Sequence, residues 1–364
     1  MKRQLMINLS CLSERPTGLS VYAENVIPRL VDLNPIVLIR RSQVASWASR
    51  FPNLNLEEIR DDLSSDSGSK GHARRLAWME TTLVSRLSKC SSPLLFSPVP
   101  EAPVLRRTTS VVTVHDFTPL RFFARTRPLF QYTKHYVPKV LGSAEAILCV
   151  SEATAQDAVR LAGADRRRIT VTPLACDTNH FKPLGLSRKN YFLYIGQFKP
   201  YKNIRMALEA FARLGEPGIE FWLAGPSDPG FDELVAEFRD RRGLPVRFLA
   251  YPPFASLPTL MNQAIALVFP SRWEGFGLPI LESMACGTPV VTSTTSAMPD
   301  VAGGAAILVD PDDETGLTSA MSRILNDAIL SETLSKEGLI RSSEFSWSKT
   351  AALTRSVLSR LIDR

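Results

Sequence analysis

"AIALVFPSRWEGFGLPILESMACGTPVVTS" occupies residues 264–293, and its punctuation decides the fold of the half that carries it. The apolar run "AIALVFPS" has the length of a strand, and "PVVTS" reads as another. Between them Pro279 suits the first position of a helix and Gly287 suits its end. Strand, glycine-rich loop, helix and strand make a βαβ unit. In such a unit the backbone N–H groups at the helix start, here of Gly275, Phe276, Gly277 and Leu278, face a crevice that favours an anion. Two carboxylates flank that start: Glu274 precedes the helix and Glu282 lies one turn inside it.

Outward from this unit the same rhythm continues. "YFLYIGQ", "EFWLAGP", "PVRFLAY" and "AAILVDP" read as strands, with "NIRMALEAFARL" and "FDELVAEFRDR" as helices and "LPTLMNQA" in the same series, so residues 191–345 form one Rossmann-like domain. Ahead of it, "QLMINLS", "PIVLIRR", "PLLFSP", "SVVTVHD", "EAILCVS" and "RITVTPL" alternate with helical runs, among them one long helix from Pro128 to Leu141. Residues 1–182 therefore form a second doubly wound α/β domain. The polar stretch with Pro183 and Gly185 is expected to be a linker over 183–190. "DDLSSDSGSKG" (61–71) is expected to be a mobile loop. The last segment, 346–364, is a helix with an apolar stripe, expected to cross back to the first domain.

Composition excludes several function classes. At 364 residues and 45% hydrophobic content the chain can bury two cores. Its five cysteines have no CxxC pairing, which fits reduced thiols and a cytoplasmic setting, and its four scattered histidines do not suggest zinc. The N-terminal apolar stretch is too short and polar for a signal peptide or a membrane span. Residues 1–182 hold 25 Lys/Arg against 16 Asp/Glu and the remainder 18 against 20, so the positive charge sits in the first half. No nucleic-acid motif accompanies it. An anionic membrane surface fits better, because "RFFARTRPLF" (121–130) interleaves arginines with aromatics, placing the protein at the inner face of the membrane as a peripheral partner. The same segment also reads as an exposed loop anchored on the core.

Other crevice residues carry chemistry. In "YIGQFKPYKNI" a strand ends at Gly196, Gln197 follows it, and Lys199 and Lys202 stand at the mouth of the next helix, where they can neutralise a phosphate. His115 and Asp116 terminate the buried strand of "VVTVHDFTPL". Gly18 offers a close-approach position between a strand and a helix start. Carboxylates accept hydrogen bonds from the vicinal hydroxyls of a ribose or hexose, whereas helix-start N–H groups and lysine prefer the diphosphate between two such sugars. One glutamate per sugar is the natural division, and a nucleoside-diphosphate sugar is the ligand with that layout.

The E-x7-E pattern with internal "GFGLP", followed by "SMACGTPVV", resembles the retaining glycosyltransferases of the GT-B fold, family 4. The likeness extends over nearly the whole chain through "VVTVHDFTPL", "VSEATAQDAV", "YIGQFKPYKNI", "WLAGP", "FPSRWEGFGLPILE" and "FSWSKTA". It implies two Rossmann-like doubly wound domains facing across a cleft, with the acceptor on the first and the nucleotide sugar on the second. It further implies that Glu282 binds the ribose, Glu274 faces the donor sugar, Lys202 holds the diphosphate, and the backbone around Tyr251 touches the base. His115 would stand by the transferred sugar on the acceptor side, with Asp116 beside it. The implied reaction moves a hexose, UDP-glucose-like by preference or mannose from GDP-mannose as the alternative, to a saccharide or lipid-linked saccharide. Other classes that the residues allow are a sugar-nucleotide epimerase or phosphorylase of the same fold and a non-catalytic nucleotide-sugar binding module. Neither a cofactor nor a metal is expected; the D-x-D of "VDPDD" reads as a turn.

The chain also departs from the family pattern. Where many members carry an arginine ahead of the lysine, the positions hold Gln197 and Tyr201, and Lys199 is the candidate substitute. The usual Gly-Gly of the first loop is Thr17-Gly18, with no lysine, which argues against a glucan synthase using ADP-glucose.

Overall fold

The computed structural model describes residues 3–13, 17–64, 66, 68–106, 108–226 and 229–364. Thirteen strands are found among them: β1 Gln4–Asn8, β2 Ile36–Arg40, β3 Asn55–Ile59, β4 Pro93–Ser97, β5 Ser110–Val114, β6 Ala146–Cys149, β7 Ile169–Val171, β8 Tyr191–Ile195, β9 Glu220–Gly225, β10 Val246–Ala250, β11 Ala266–Phe269, β12 Val290–Ser293 and β13 Ile307–Val309. They form two sheets, ordered β3-β2-β1-β4-β5-β6-β7 and β10-β9-β8-β11-β12-β13. Every pairing is parallel. Parallel strands are covered on both faces, which is why Leu94–Phe96, Val111, Val112 and Ala266–Phe269 are apolar without alternation and fully buried. Edge strand β3 is the opposite case: its "NLEEI" sequence is mostly exposed, and Glu57 and Glu58 pair with Arg86 and Arg41, a charged edge that resists further pairing.

The chain divides into two compact units, one built from residues up to Leu174 together with Trp347–Arg364 and the other from Ala175–Ser346. The helix Trp347–Ile362 buries Ala351, Thr354, Val357, Leu358 and Leu361 within the first unit. There Thr350 Oγ1 donates to the Pro173 carbonyl at 2.6 Å and Trp347 meets Tyr22 edge-on at 6.5 Å.

The change of unit therefore comes earlier than the expected linker. Residues 183–190 pack on the second unit: Asn262 accepts from the Leu184 N–H at 2.8 Å, and Arg188 donates to Ser331 and Ser335, each at 2.6 Å. The single helix expected from Pro128 to Leu141 is two, Pro128–His135 and Val137–Ser143, because Pro138 has no N–H to continue the first. The expected loop 61–71 holds a 3₁₀ turn at Asp61–Leu63 and the start of the helix Gly68–Trp78; residues 65 and 67 lie outside the described ones. That helix, the helix Arg41–Arg50 and strand β3 were not anticipated by the sequence pattern. Among the described residues no helix is long and apolar enough to cross a membrane.

Candidate functional site

In the second sheet the strand order reverses between β8 and β11, and in open parallel sheets the crevice at such a switch, beyond the carboxyl ends of the strands, is where ligands bind. The loop after β8 carries Gly196, Gln197, Lys199 and Lys202; the loop after β11 carries Glu274–Leu278. The base of the first loop requires a glycine on the strand beside it, because a Cβ on Gly225 at the end of β9 would lie 2.0 Å from the Gly196 carbonyl oxygen. The loop then turns through Pro200–Lys202 and is stopped by Asn203 in the left-handed region (φ 62), whose side chain donates to the Pro311 carbonyl at 2.6 Å. Gln197 and Lys199 are exposed on this loop.

Lys202 and Glu274, given separate duties by the sequence, are brought together. The Lys202 ammonium donates to both carboxylate oxygens at 2.6 and 2.7 Å, and the two side chains are only 13% and 12% exposed. Glu274 is also fixed through its backbone, its N–H donating to Ser296 Oγ at 3.2 Å while the Ser296 hydroxyl donates to the Glu274 carbonyl. Gly277 has φ 101, a conformation open to glycine, and begins the helix Leu278–Ala285, whose start no side chain caps. Phe276 is buried edge-on against Phe345 at 5.9 Å. Tyr251, just past β10, is a non-glycine residue at φ 43, 55% exposed, with its N–H held by the Gly225 carbonyl at 3.0 Å. Strain of this kind persists only where the surroundings hold it.

Glu282 is set apart from this pair. Its carboxyl makes no hydrogen bond or ion pair among the described residues, and burial pushes its pKa up to about 7. The folded chain thus holds a proton there between the ordinary carboxyl range and about pH 7, where the unfolded chain has released it. Stability should therefore fall as pH rises from about 4.5 to 7, by up to about 3 kcal/mol, and level off above. Glu282→Gln should lose this slope in thermal melts taken from pH 5 to 8; a variant with the wild-type slope would show that the carboxyl is solvated.

In the first sheet the order reverses between β1 and β4. Gly18 opens the helix Gly18–Val26, capped by Thr17 Oγ1; a Cβ there would touch nothing within 4 Å, so packing does not require the glycine. His115 follows β5 and its Nε2 lies 2.8 Å from the Pro98 carbonyl. A carbonyl only accepts, so Nε2 carries the proton, and burial lowers the pKa of the ring, which keeps it neutral. Asp116 is exposed and accepts from the Thr118 N–H at 2.8 Å, two residues on, where the helix Thr118–Phe122 begins.

What holds Pro98 leaves almost no trace in the sequence. Residues 98–102 form a bent strap, the Glu101 N–H turning back to the Val99 carbonyl at 2.7 Å, and its alternate carbonyls, Pro98, Pro100 and Ala102, accept from His115, Tyr132 and Tyr136 at 2.8, 3.1 and 2.8 Å. Glu101 in the same strap is buried and receives Arg75 Nε and Nη2, each at 2.7 Å, while Arg75 Nη1 donates to the Leu63 carbonyl at 2.9 Å. Glu80 takes the N–H groups of Val104 and Leu105 beyond it at 2.7 and 3.1 Å. The only textual signal is an acid inside the apolar, proline-rich run "SPVPEAPVL".

The D-x-D acids make a turn and a cap: Asp310 accepts from the Asp312 N–H at 2.8 Å, Asp312 pairs with Arg272, and Asp313 caps the helix Glu314–Asn326. Among the described residues no three His, Cys, Asp or Glu side chains gather as metal ligands would.

The family model described as Glycosyltransferase Family 4 matches residues 71–180, and the one described as Glycosyl transferases group 1 matches residues 189–327. The chain is 29% identical to O-antigen chain mannosyltransferase B of Escherichia coli, over 93% of this chain and 94% of that one. It is 27% identical to O-antigen chain mannosyltransferase RfbU of Salmonella typhimurium, over 89% of this chain and 92% of that one. Among solved structures, sucrose-phosphate synthase from Thermosynechococcus elongatus superposes with a TM-score of 0.78 at 19% identity, covering 99% of this chain and 100% of that one.

Proposed function

This chain belongs to glycosyltransferase family 4 and is a glycosyltransferase of the GT-B fold, and from that premise we propose that it transfers mannose from GDP-mannose, with retention, to a saccharide hydroxyl in the synthesis of an O-antigen-like or lipid-linked polysaccharide. The observation that carries the donor is that two relatives that match it over about nine-tenths of both chains are named as mannosyltransferases. This favours the GDP-mannose alternative over the UDP-glucose preference of the sequence reading.

In this reading the carboxyl of Glu282 accepts from the ribose hydroxyls, the backbone at Tyr251 borders the base, and Lys202 with the N–H groups of Gly275–Leu278 holds the diphosphate. Glu274 faces the sugar and His115 serves the acceptor side. The C1–O bond to phosphate breaks as the bond from C1 to the acceptor oxygen forms on the same face, and the acceptor proton passes to the departing phosphate oxygen. No nucleophilic side chain is required. Charge developing on the leaving group is met by fixed donors, the usual source of large electrostatic acceleration.

The test is release of nucleoside diphosphate from GDP-mannose and from UDP-glucose, with and without a mannoside acceptor. Acceptor-dependent release from GDP-mannose is expected. Faster turnover of UDP-glucose would overturn the donor, and release without incorporation into acceptor would overturn transfer. With lysine and helix N–H groups on the diphosphate, EDTA should leave the rate nearly unchanged; loss of activity restored by Mg²⁺ or Mn²⁺ would contradict that assignment.

A peripheral membrane location is supported by one stretch of the first unit. Residues 117–144 contain no Asp or Glu but hold Arg121, Arg125, Arg127, Lys134 and Lys139. Phe122 and Leu129 in it are 40% and 45% exposed. Apolar and cationic groups together suit an anionic lipid surface. The chain should sediment with phosphatidylglycerol vesicles at low salt and not with neutral ones; equal recovery on both would refute the location.

A further inference from the structure

The first unit has a cavity of about 370 Å³ between the helices Gly18–Val26 and Arg41–Arg50, running from the carboxyl ends of β1 and β2 to the last turns of both helices. Its wall is made of hydroxyls and planar polar groups: Ser13, Ser20, Ser46, Gln43 and the pair Glu24–Arg50. Arg50 donates to both oxygens of Glu24, at 2.8 and 2.7 Å, in the two-pronged geometry that leaves outer edges free to meet vicinal hydroxyls. The Gln43 amide donates to the Ser13 carbonyl at 3.1 Å, but its Oε1 is buried and accepts no hydrogen bond among the described residues. A buried acceptor without a donor is costly, and a hydroxyl that met it would remove that cost. Beneath lie Leu12 and Trp47, 2% and 3% exposed, which close the floor of the cavity.

Among the described residues of the wall the charges cancel within the Glu24–Arg50 pair. A neutral ligand rich in hydroxyls matches that balance and the serines, which both donate and accept. That ligand class is a saccharide.

Its position says which part of a saccharide. The sheet runs β2-β1-β4-β5, and His115 stands at the carboxyl end of β5. At the usual spacing of neighbouring strands the cavity is roughly 10–15 Å across the sheet from His115, or two to three sugar rings at roughly 5 Å each. Resting on the reading above that the acceptor is a saccharide, we propose that this cavity binds the growing chain two to three sugars behind the hydroxyl that is glycosylated, so that the enzyme prefers longer acceptors.

The experiment uses the full chain with GDP-mannose and a ladder of mannosides of one to four sugars. Wild type should gain at least about tenfold in kcat/KM between one sugar and four. Ser46→Trp, at an exposed position that can carry an indole, fills the cavity, and Gln43→Ala removes the buried acceptor. Both should reduce the gain to less than about threefold while leaving the single-sugar acceptor unchanged. A wild-type rate independent of length, or variants that keep the full gain, would overturn the proposal. If GDP-mannose is not used at all, the functional reading fails, but the cavity is still tested by calorimetry without donor: a tetramannoside should bind wild type and not Ser46→Trp, and absence of binding to wild type or equal binding to both would overturn it.

Discussion

Lys202→Ala should lower turnover by about 10²-fold or more at saturating donor and acceptor, with a smaller change in donor affinity. Ground-state affinity is shared among base, ribose and sugar contacts, but charge on the leaving phosphate appears only during reaction, and a cation beside it acts mainly there. The ion pair with Glu274 sharpens the expectation. With both side chains largely shielded from water, removing the ammonium leaves a carboxylate uncompensated next to the site assigned to the diphosphate. The variant thus loses a stabilising charge and gains a repelling one. Adding Glu274→Gln to Lys202→Ala should then cost less than the two single effects combined, since the residues act as one unit. Near wild-type turnover in Lys202→Ala, with the fold checked by circular dichroism, would remove catalysis from this loop; strict additivity would mean the pair separates before reaction.

Glu101→Ala should destabilise the protein by about 3–5 kcal/mol, measured by chemical denaturation at neutral pH. Arg75 and Glu101 are 4% and 3% exposed, so truncating one partner strands the other as a buried charge. Burial by itself would raise the Glu101 carboxyl, but the adjoining guanidinium overrides it and holds the carboxyl below its ordinary value. The stabilisation is accordingly complete at neutral pH and fades as pH falls through the acid range. The double replacement Arg75→Met with Glu101→Leu should recover most of the loss, because two apolar groups of similar volume need no counter-charge. A small effect of Glu101→Ala would mean that water reaches the pair. Since Glu101 sits in the strap whose Pro98 carbonyl accepts from His115, the residual activity of the variant also reports how firmly the imidazole must be held.

What the sequence revealed and what it hid divide along a physical line. The buried parallel strands were legible because burial on both faces makes them continuous apolar runs, and the loops after β8 and β11 because glycine, proline and lysine mark helix starts. Strand β3 was not, since "NLEEI" is polar at an exposed edge and draws its order from β2 beside it. Arg75 and Glu101 stand 26 positions apart, and Lys202 and Glu274 stand 72 apart, so neither pairing leaves a local pattern to read. The change of unit at Leu174 was misplaced because proline and glycine at 183–185 suggested a flexible joint, whereas contacts with Asn262 draw that stretch onto the second body.

The discontinuity of the first unit sets an order of maturation during synthesis. A ribosome delivers Ala175–Ser346 as one uninterrupted segment, able to fold as soon as it emerges. The first unit, although most of it is made earlier, has to wait for Trp347–Arg364, whose arrival covers Tyr22 and the strand end near Pro173. Until then its apolar surface stays open to chaperones or to aggregation, and a chain that stops before Trp347 would harm the half made first.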